Sequence, residues 1–421
     1  MTPRAFRVRQ GEDAPGGSPR VGGPGRHRIL TATVVVGALG YFVDIYDLVL
    51  FSIVRVASLR DLGVEDVLGT GVLLLNMQMA GMLVGGLAWG MLGDRRGRVS
   101  VLFGSILLYS LANLANAFVQ TVPQYAALRF LAGVGLAGEL GAAVTLVAES
   151  MPKETRAYGT AVVAAVGILG AVAAALVGQA FPWQVAYVVG GLMGLALLAA
   201  RVRLRESPMW SRAPRGDLRV LLRPGRLARY ARVVLVGVPI WFVIGVLVTF
   251  APELARELGV RGEVTAGMAV LWCYLGAAAG DLASGVLSQR WGRRRVMLLF
   301  LGATSLLTVA YALLWGASLA AFYGTCLALG LAVGYWAVFA TNAAEQFGTD
   351  VRATVATTAP NVVRAAVVPI TLAFAALIPV AGRVQAALVV GAACVVVALL
   401  ALWGMPETRG KDLDYLEASA A

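Results

Sequence analysis

The chain has 421 residues, of which 59% are hydrophobic and only 14% charged. That balance excludes an ordinary water-soluble domain and implies a chain held largely in lipid. The formal net charge of +12 would suit a nucleic-acid partner, but the basic residues are sorted by span instead of forming one patch.

Residues 1–28 are rich in Gly, Pro and Arg without apolar periodicity, so a disordered tail is expected there. The only histidine, His27, lies in this tail, away from any metal or proton site. Twelve apolar stretches follow, at roughly 30–54, 67–92, 99–119, 123–149, 157–180, 183–200, 233–251, 265–288, 295–316, 318–344, 354–380 and 384–404. Each is long enough to cross a hydrocarbon core of about 30 Å as a helix. The first lacks a small-residue cleavage site and is expected to be retained. The predicted fold is therefore an all-α membrane protein. Its N-terminal six-helix bundle is at 29–200, a linker at 201–232, the C-terminal six-helix bundle at 233–405 and a tail at 406–421.

With both termini placed in the cytoplasm, 28 of the 35 Lys and Arg fall in the tails and even-to-odd loops, 5 in outer loops and 2, Arg129 and Arg364, inside spans. This is the positive-inside asymmetry, and it predicts an integral plasma-membrane protein with no nucleic-acid partner. The Arg-rich linker then faces anionic headgroups. Cys273, Cys326 and Cys394 stand in different spans and read as packing residues, with no metal site.

Two charged punctuation marks occur twice. Gly90 to Arg98 (Gly-Met-Leu-Gly-Asp-Arg-Arg-Gly-Arg) recurs as Gly285 to Arg293, and Glu149 with Arg156 recurs as Glu345 with Arg352. Two matched pairs at nearly one offset indicate a duplicated unit. In an apolar chain such a unit suggests two bundles flanking one pathway, and hence carriage of a solute. No Gly-x4-Gly-Lys-Ser/Thr loop is present, so no nucleotide cofactor is expected and the proton gradient is the expected energy source.

Gly-x-x-x-Asp-Arg-x-Gly-Arg after span 2 resembles the signature of the major facilitator superfamily, and the resemblance covers nearly the whole chain. Arg129 at the head of span 4, Glu149-x6-Arg156 at its foot, Arg205-Glu206-Ser207-Pro208 after span 6 and Pro406-Glu407-Thr408-Arg409-Gly410 after span 12 support it. The resemblance implies two pseudo-symmetric six-helix bundles, alternating access and function as a monomer. It also implies that Asp94, Arg95, Arg98, Glu149, Arg156, Arg290, Arg293, Glu345 and Arg352 form salt bridges closing the cytoplasmic side. Within the superfamily, Arg129-x3-Gly-x4-Gly-Glu139 and Asp44-Ile-Tyr-Asp47 resemble metabolite:proton and phosphate:proton symporters, and Arg364 resembles the span 11 arginine of organic-anion transporters. Span 7, Val238 to Gly245, lacks the paired glutamines of sugar porters.

Charges inside a span cost at least about 2.5 to 3.5 kcal/mol and usually have a partner or a task. Asp47 and Arg129 lie at similar depth, roughly 9 to 10 Å from the outer ends of their spans, so they can pair. In proton-coupled sugar porters the equivalent residues form the protonation switch. Asp44 shares a helix face with Asp47, and two carboxylates so close in low dielectric should not both ionise easily. Glu139 lies deeper, either the last step of a proton route or the partner of a polar group on a neighbouring helix. Arg364 stands near the midplane, where its planar fork could take a carboxylate or phosphate, or neutralise one of these acids. Asn361, Tyr46, Trp241, Tyr274, Tyr335 and Trp336 are at depths that could line a cavity. Asp281, aligned with Gly86 of the first repeat, is either functional or a tether for Arg290 or Arg293.

The expected function is proton-coupled symport of a small organic anion, a carboxylate-type metabolite. The alternatives are transport or export of an organic cation or neutral solute such as a sugar or polyol, and a non-transporting receptor of the same fold.

Overall fold

The computed structural model describes residues 24–96, 98–139, 156–201 and 223–410. The N-terminal bundle contains α1 (Pro24–Asp61), α2 (Val67–Arg96), α3 (Arg98–Asn116), α4 (Val122–Leu136), α5 (Arg156–Ala180) and α6 (Trp183–Arg201). The C-terminal bundle opens with α7a (Pro224–Phe242), which passes through a π-helical stretch (Val243–Val248) into the short α7b (Ala251–Glu257). It continues with α8 (Ala266–Trp291) and α9 (Arg293–Ala312), then α10 in two pieces, α10a (Leu319–Val333) and α10b (Trp336–Glu345). α11 is also in two pieces, α11a (Thr349–Ala365) and α11b (Val367–Ala381), and α12 is Arg383–Trp403.

Among the described residues nine helices are long and apolar enough to cross a membrane, and the shorter apolar helices Ser100–Asn116 and Val166–Ala180 fill spans 3 and 5. The twelve spans form two pseudo-symmetric six-helix bundles. The start of α1 and the end of α12 consequently lie on one face of the paired bundles, here the terminal face; the other is the distal face.

The elements start where the local chemistry favours it. Thr121, Thr265 and Ser318 cap α4, α8 and α10a by accepting from the backbone N–H three residues on, at 3.4, 3.3 and 3.3 Å. α1 begins at Pro24 and ends at Asp61, beyond both ends of the expected 30–54. A proline at the first position has no N–H of its own to leave unmet, and the helix runs past Arg55, which is buried by the opposite bundle.

The duplication is visible in the packing. α2 crosses α4 at Gly81, Gly85 and Gly133, and α8 crosses α10a at Gly276, Gly280 and Gly330. At each position a Cβ would run into backbone of the facing helix. Without a hydrophobic drive between helices in lipid, such close backbone approach supplies the contact energy. On the terminal face Glu407 accepts from the backbone N–H groups of Arg293, Arg294, Thr408 and Arg409 at 2.9 to 3.0 Å, capping α9. Partial burial pushes its carboxyl up, but those four donors hold it below the usual glutamate range.

The two bundles meet at the distal face. Thr249 donates to Ser52 at 2.9 Å, Thr371 to Asn76 at 2.6 Å, and Arg55 pairs with Glu253 at 2.7 Å. Residues 1–23, 97, 140–155, 202–222 and 411–421, with most of both expected tails and of the expected linker, lie outside the described residues, while α7a already starts at Pro224, inside the expected linker 201–232.

Candidate functional site

Arg364 stands in the last turn of α11a and Asp44 in the middle of α1, so the two come from opposite bundles. Both are buried, and Arg364 Nη2 is 3.8 Å from Asp44 Oδ2. That is an ion-pair distance and too long for a hydrogen bond. Neither Asp44 oxygen accepts a hydrogen bond, and Arg364 Nε and Nη1 donate none, among the described residues. Trp241 of α7a and Trp336 of α10b place their rings 5.7 and 5.9 Å from the guanidinium carbon. The two indoles meet edge to face at 6.2 Å. Such a site offers a permanent cation, two aromatic faces and one loosely held carboxylate.

Around this pair the structure separates the expected cavity residues. Tyr274 of α8 is within electrostatic reach of Arg364 and Asp44. Tyr41 of α1 is within reach of Arg364, Asp44 and Asp281, and sequence reasoning missed it although it precedes Asp44 by less than one turn. Tyr46 and Tyr335 belong to packing: their hydroxyls donate to Ala186 O and Val236 O, each at 2.9 Å, and tie neighbouring helices. Asn361 donates to Ala137 O at 3.0 Å, a contact from α11a to the N-terminal bundle just beside Gly86.

The expected direct pair between Asp47 and Arg129 does not form. Arg129 donates to Asn113 Oδ1 at 2.7 Å and Gln78 Oε1 at 3.4 Å and lies 4.9 Å over the Tyr187 ring, so amide oxygens and a ring face meet its charge. Asp47 remains within electrostatic reach of Arg129 and of Asp44, fully buried.

Of the two readings left open for Glu139, the structure shows the paired one. Arg201 at the end of α6 donates Nη1 to Glu139 Oε2 at 2.9 Å and Nη2 to Oε1, and both residues are buried. The pair lies against α1 at Gly40, where a Cβ would overlap both groups. Gly40 is one turn from Asp44, so the three acids do descend through the N-terminal bundle in the expected order. Arg201 was assigned to the linker because it is the first charge after span 6.

Asp281 tethers neither Arg290 nor Arg293. Its Oδ1 accepts from Ala337 N at 3.1 Å and so caps α10b, whose first turn starts inside the bundle after the break at Gly334 and Tyr335. Arg293 pairs with Glu345 at 3.0 Å and Thr408 donates to Glu345 at 2.6 Å, while Arg409 donates to Arg290 O. These bonds lie within the C-terminal bundle and its tail. Arg352 donates to Ala344 O and Phe347 O at 3.2 Å. Glu149 and the side chains of Asp94, Arg95, Arg98 and Arg156 lie outside the described residues.

Comparison with known proteins places this arrangement. The family model described as Major Facilitator Superfamily matches residues 37–364. The niacin transporter NiaP of Acinetobacter baylyi is 27% identical over 366 residues, covering 76% of this chain and 80% of its own. A probable 4-methylmuconolactone transporter of Cupriavidus pinatubonensis is 27% identical over 412 residues, covering 90% and 92% respectively. The crystal structure of a D-xylose-proton symporter matches with a TM-score of 0.73 over 91% of this chain and 99% of that one at 17% identity, a likeness of fold. The chain belongs to the Major Facilitator Superfamily and is a membrane transporter, not an enzyme.

Proposed function

We propose that this transporter carries a small carboxylate together with protons, and that the substrate and the proton compete for the Asp44–Arg364 pair. The observation that carries the reading is an arginine at the bundle interface with two nitrogens unbonded among the described residues and a carboxylate facing it at 3.8 Å. When Asp44 takes a proton, Arg364 loses its counter-charge and its planar fork becomes free for a substrate carboxylate. Trp241 and Trp336 then offer faces for a planar ring, so aromatic monocarboxylates are the favoured class. The similarity to a niacin transporter supports this choice, niacin being an aromatic carboxylate.

Asp47, screened by Arg129, is the proton's first stop, and the proton gradient supplies the energy without a bound cofactor. The basic residues assign the terminal face to the cytoplasm, in the plasma membrane. The repeated charged motifs on that face act as the inner gate, and one chain suffices for transport. The test is uptake into proteoliposomes with an imposed inward proton gradient, across benzoate, nicotinate, succinate, xylose and choline. Benzoate or nicotinate should accumulate until a protonophore collapses the gradient. Accumulation of choline or xylose with no carboxylate would replace this reading.

A further inference from the structure

The distal seal contains a cation that the central site does not use. Arg55, near the distal end of α1, is fully buried. Its Nη2 donates to Glu253 Oε1 and Oε2 at 2.7 and 2.8 Å and to Thr249 O at 3.2 Å, and its guanidinium lies 4.6 Å over the Phe250 ring. All of those partners belong to the C-terminal bundle. From its own bundle Arg55 has one bond, Nη1 to Val67 O at 3.3 Å, and Nε has none.

This sorting by bundle has a chemical consequence. An arginine cannot shed its charge. If the bundles part at the distal face, Arg55 loses Glu253, the Thr249 carbonyl and the Phe250 ring at once, and keeps one carbonyl. Just below it a small cleft between the bundles is lined mainly by apolar residues, Leu48, Leu75 and Met79 on one side and Ile244 and Val367 on the other, with Ser52 and Thr249 also lining it. A single uncompensated cation above low-dielectric walls focuses an attractive field for anions. Arg55 is eleven residues from Asp44 along α1, about 16 Å of helix rise, so it stands on the distal side of the Asp44–Arg364 pair.

We propose that Arg55 has two roles in two states: with Glu253 it latches the distal face shut, and when released it is the first docking point for an incoming anion. Glu253 is the placeholder for that anion in the closed state. The latch exists only while the bundles touch, so it biases the equilibrium between states.

The test needs no knowledge of the substrate. Leu75, buried in the cleft, is changed to cysteine in a protein whose Cys273, Cys326 and Cys394 are alanine. Modification by anionic and cationic methanethiosulfonates is timed in detergent, with each rate normalised to a free thiol. Glu253→Gln should speed modification by about tenfold and favour the anionic reagent by a similar factor. Glu253→Gln combined with Arg55→Gln should stay fast but lose that preference, and Glu253→Gln combined with Arg55→Lys should retain it. Since all three lack the Glu253 charge, the ratio isolates Arg55. No acceleration in any of them would overturn the latch. Equal reagent ratios with and without the cation at position 55 would overturn the docking role.

Discussion

Arg364 was legible in the sequence because a charge deep inside an apolar run is costly and usually has a partner or a task; its neighbours were not. Trp241 and Trp336 belong to spans 7 and 10, and only folding shows that they flank the same guanidinium. Arg364→Lys keeps the charge but loses the fork, so carboxylate affinity should fall by about tenfold or more, and Arg364→Ala should nearly abolish it. Calorimetry with benzoate on purified protein checks both. Arg201 and Arg55 escaped notice for a shared reason: each is the arginine at which an apolar run closes, yet each is buried by a partner distant in sequence. Glu139→Gln leaves Arg201 uncompensated in the N-terminal bundle and should destabilise it by about 3 to 5 kcal/mol. Adding Arg201→Met should recover part of the loss, read as thermal unfolding in detergent.

At the scale of the element, the broken helices were the least legible part. Span 10 reads as one apolar run, and the break at Gly334 and Tyr335 is stabilised from outside by the Asp281 carboxylate of α8. Asp281→Asn retains an acceptor for the Ala337 N–H, whereas Asp281→Ala removes it. The second should therefore cost about 1 to 2 kcal/mol more in unfolding measurements. The α9 cap offers a pH test. The Glu407 carboxyl is depressed in the folded protein, so its stabilisation is fully present above the ordinary glutamate value of about 4.3 and disappears as the pH falls through the folded value. Melting curves from about pH 6 to about pH 3 should show wild type losing its advantage over Glu407→Gln only in the acid limb. A constant difference across that range would show that the cap does not titrate.

For the whole molecule, the repeat was the most legible feature. An offset near 195 residues relates the charged motifs, and the same offset carries Gly81 and Gly85 of α2 onto Gly276 and Gly280 of α8, where the helix crossings are made. The bundle interface was not legible, because residues that meet across it, such as Asn76 and Thr371, share no motif and stand 295 positions apart, far from the repeat offset. Yet that interface holds the central pair, with Asp44 from one bundle and Arg364 from the other. A ligand that replaces Asp44 at Arg364 therefore acts on the contact between bundles, the link that a two-state carrier needs between occupancy and motion.

The competition between proton and carboxylate is tested most directly by the pH dependence of binding. Benzoate stays ionised between about pH 6 and about pH 9, so a change in its affinity across that range reports on the protein. The account predicts that wild type binds more tightly as the pH falls, while Asp44→Asn binds tightly at every pH because Arg364 no longer has an internal carboxylate to hold it. A wild-type affinity that does not change with pH, or an Asp44→Asn affinity that still falls as the pH rises, would contradict it.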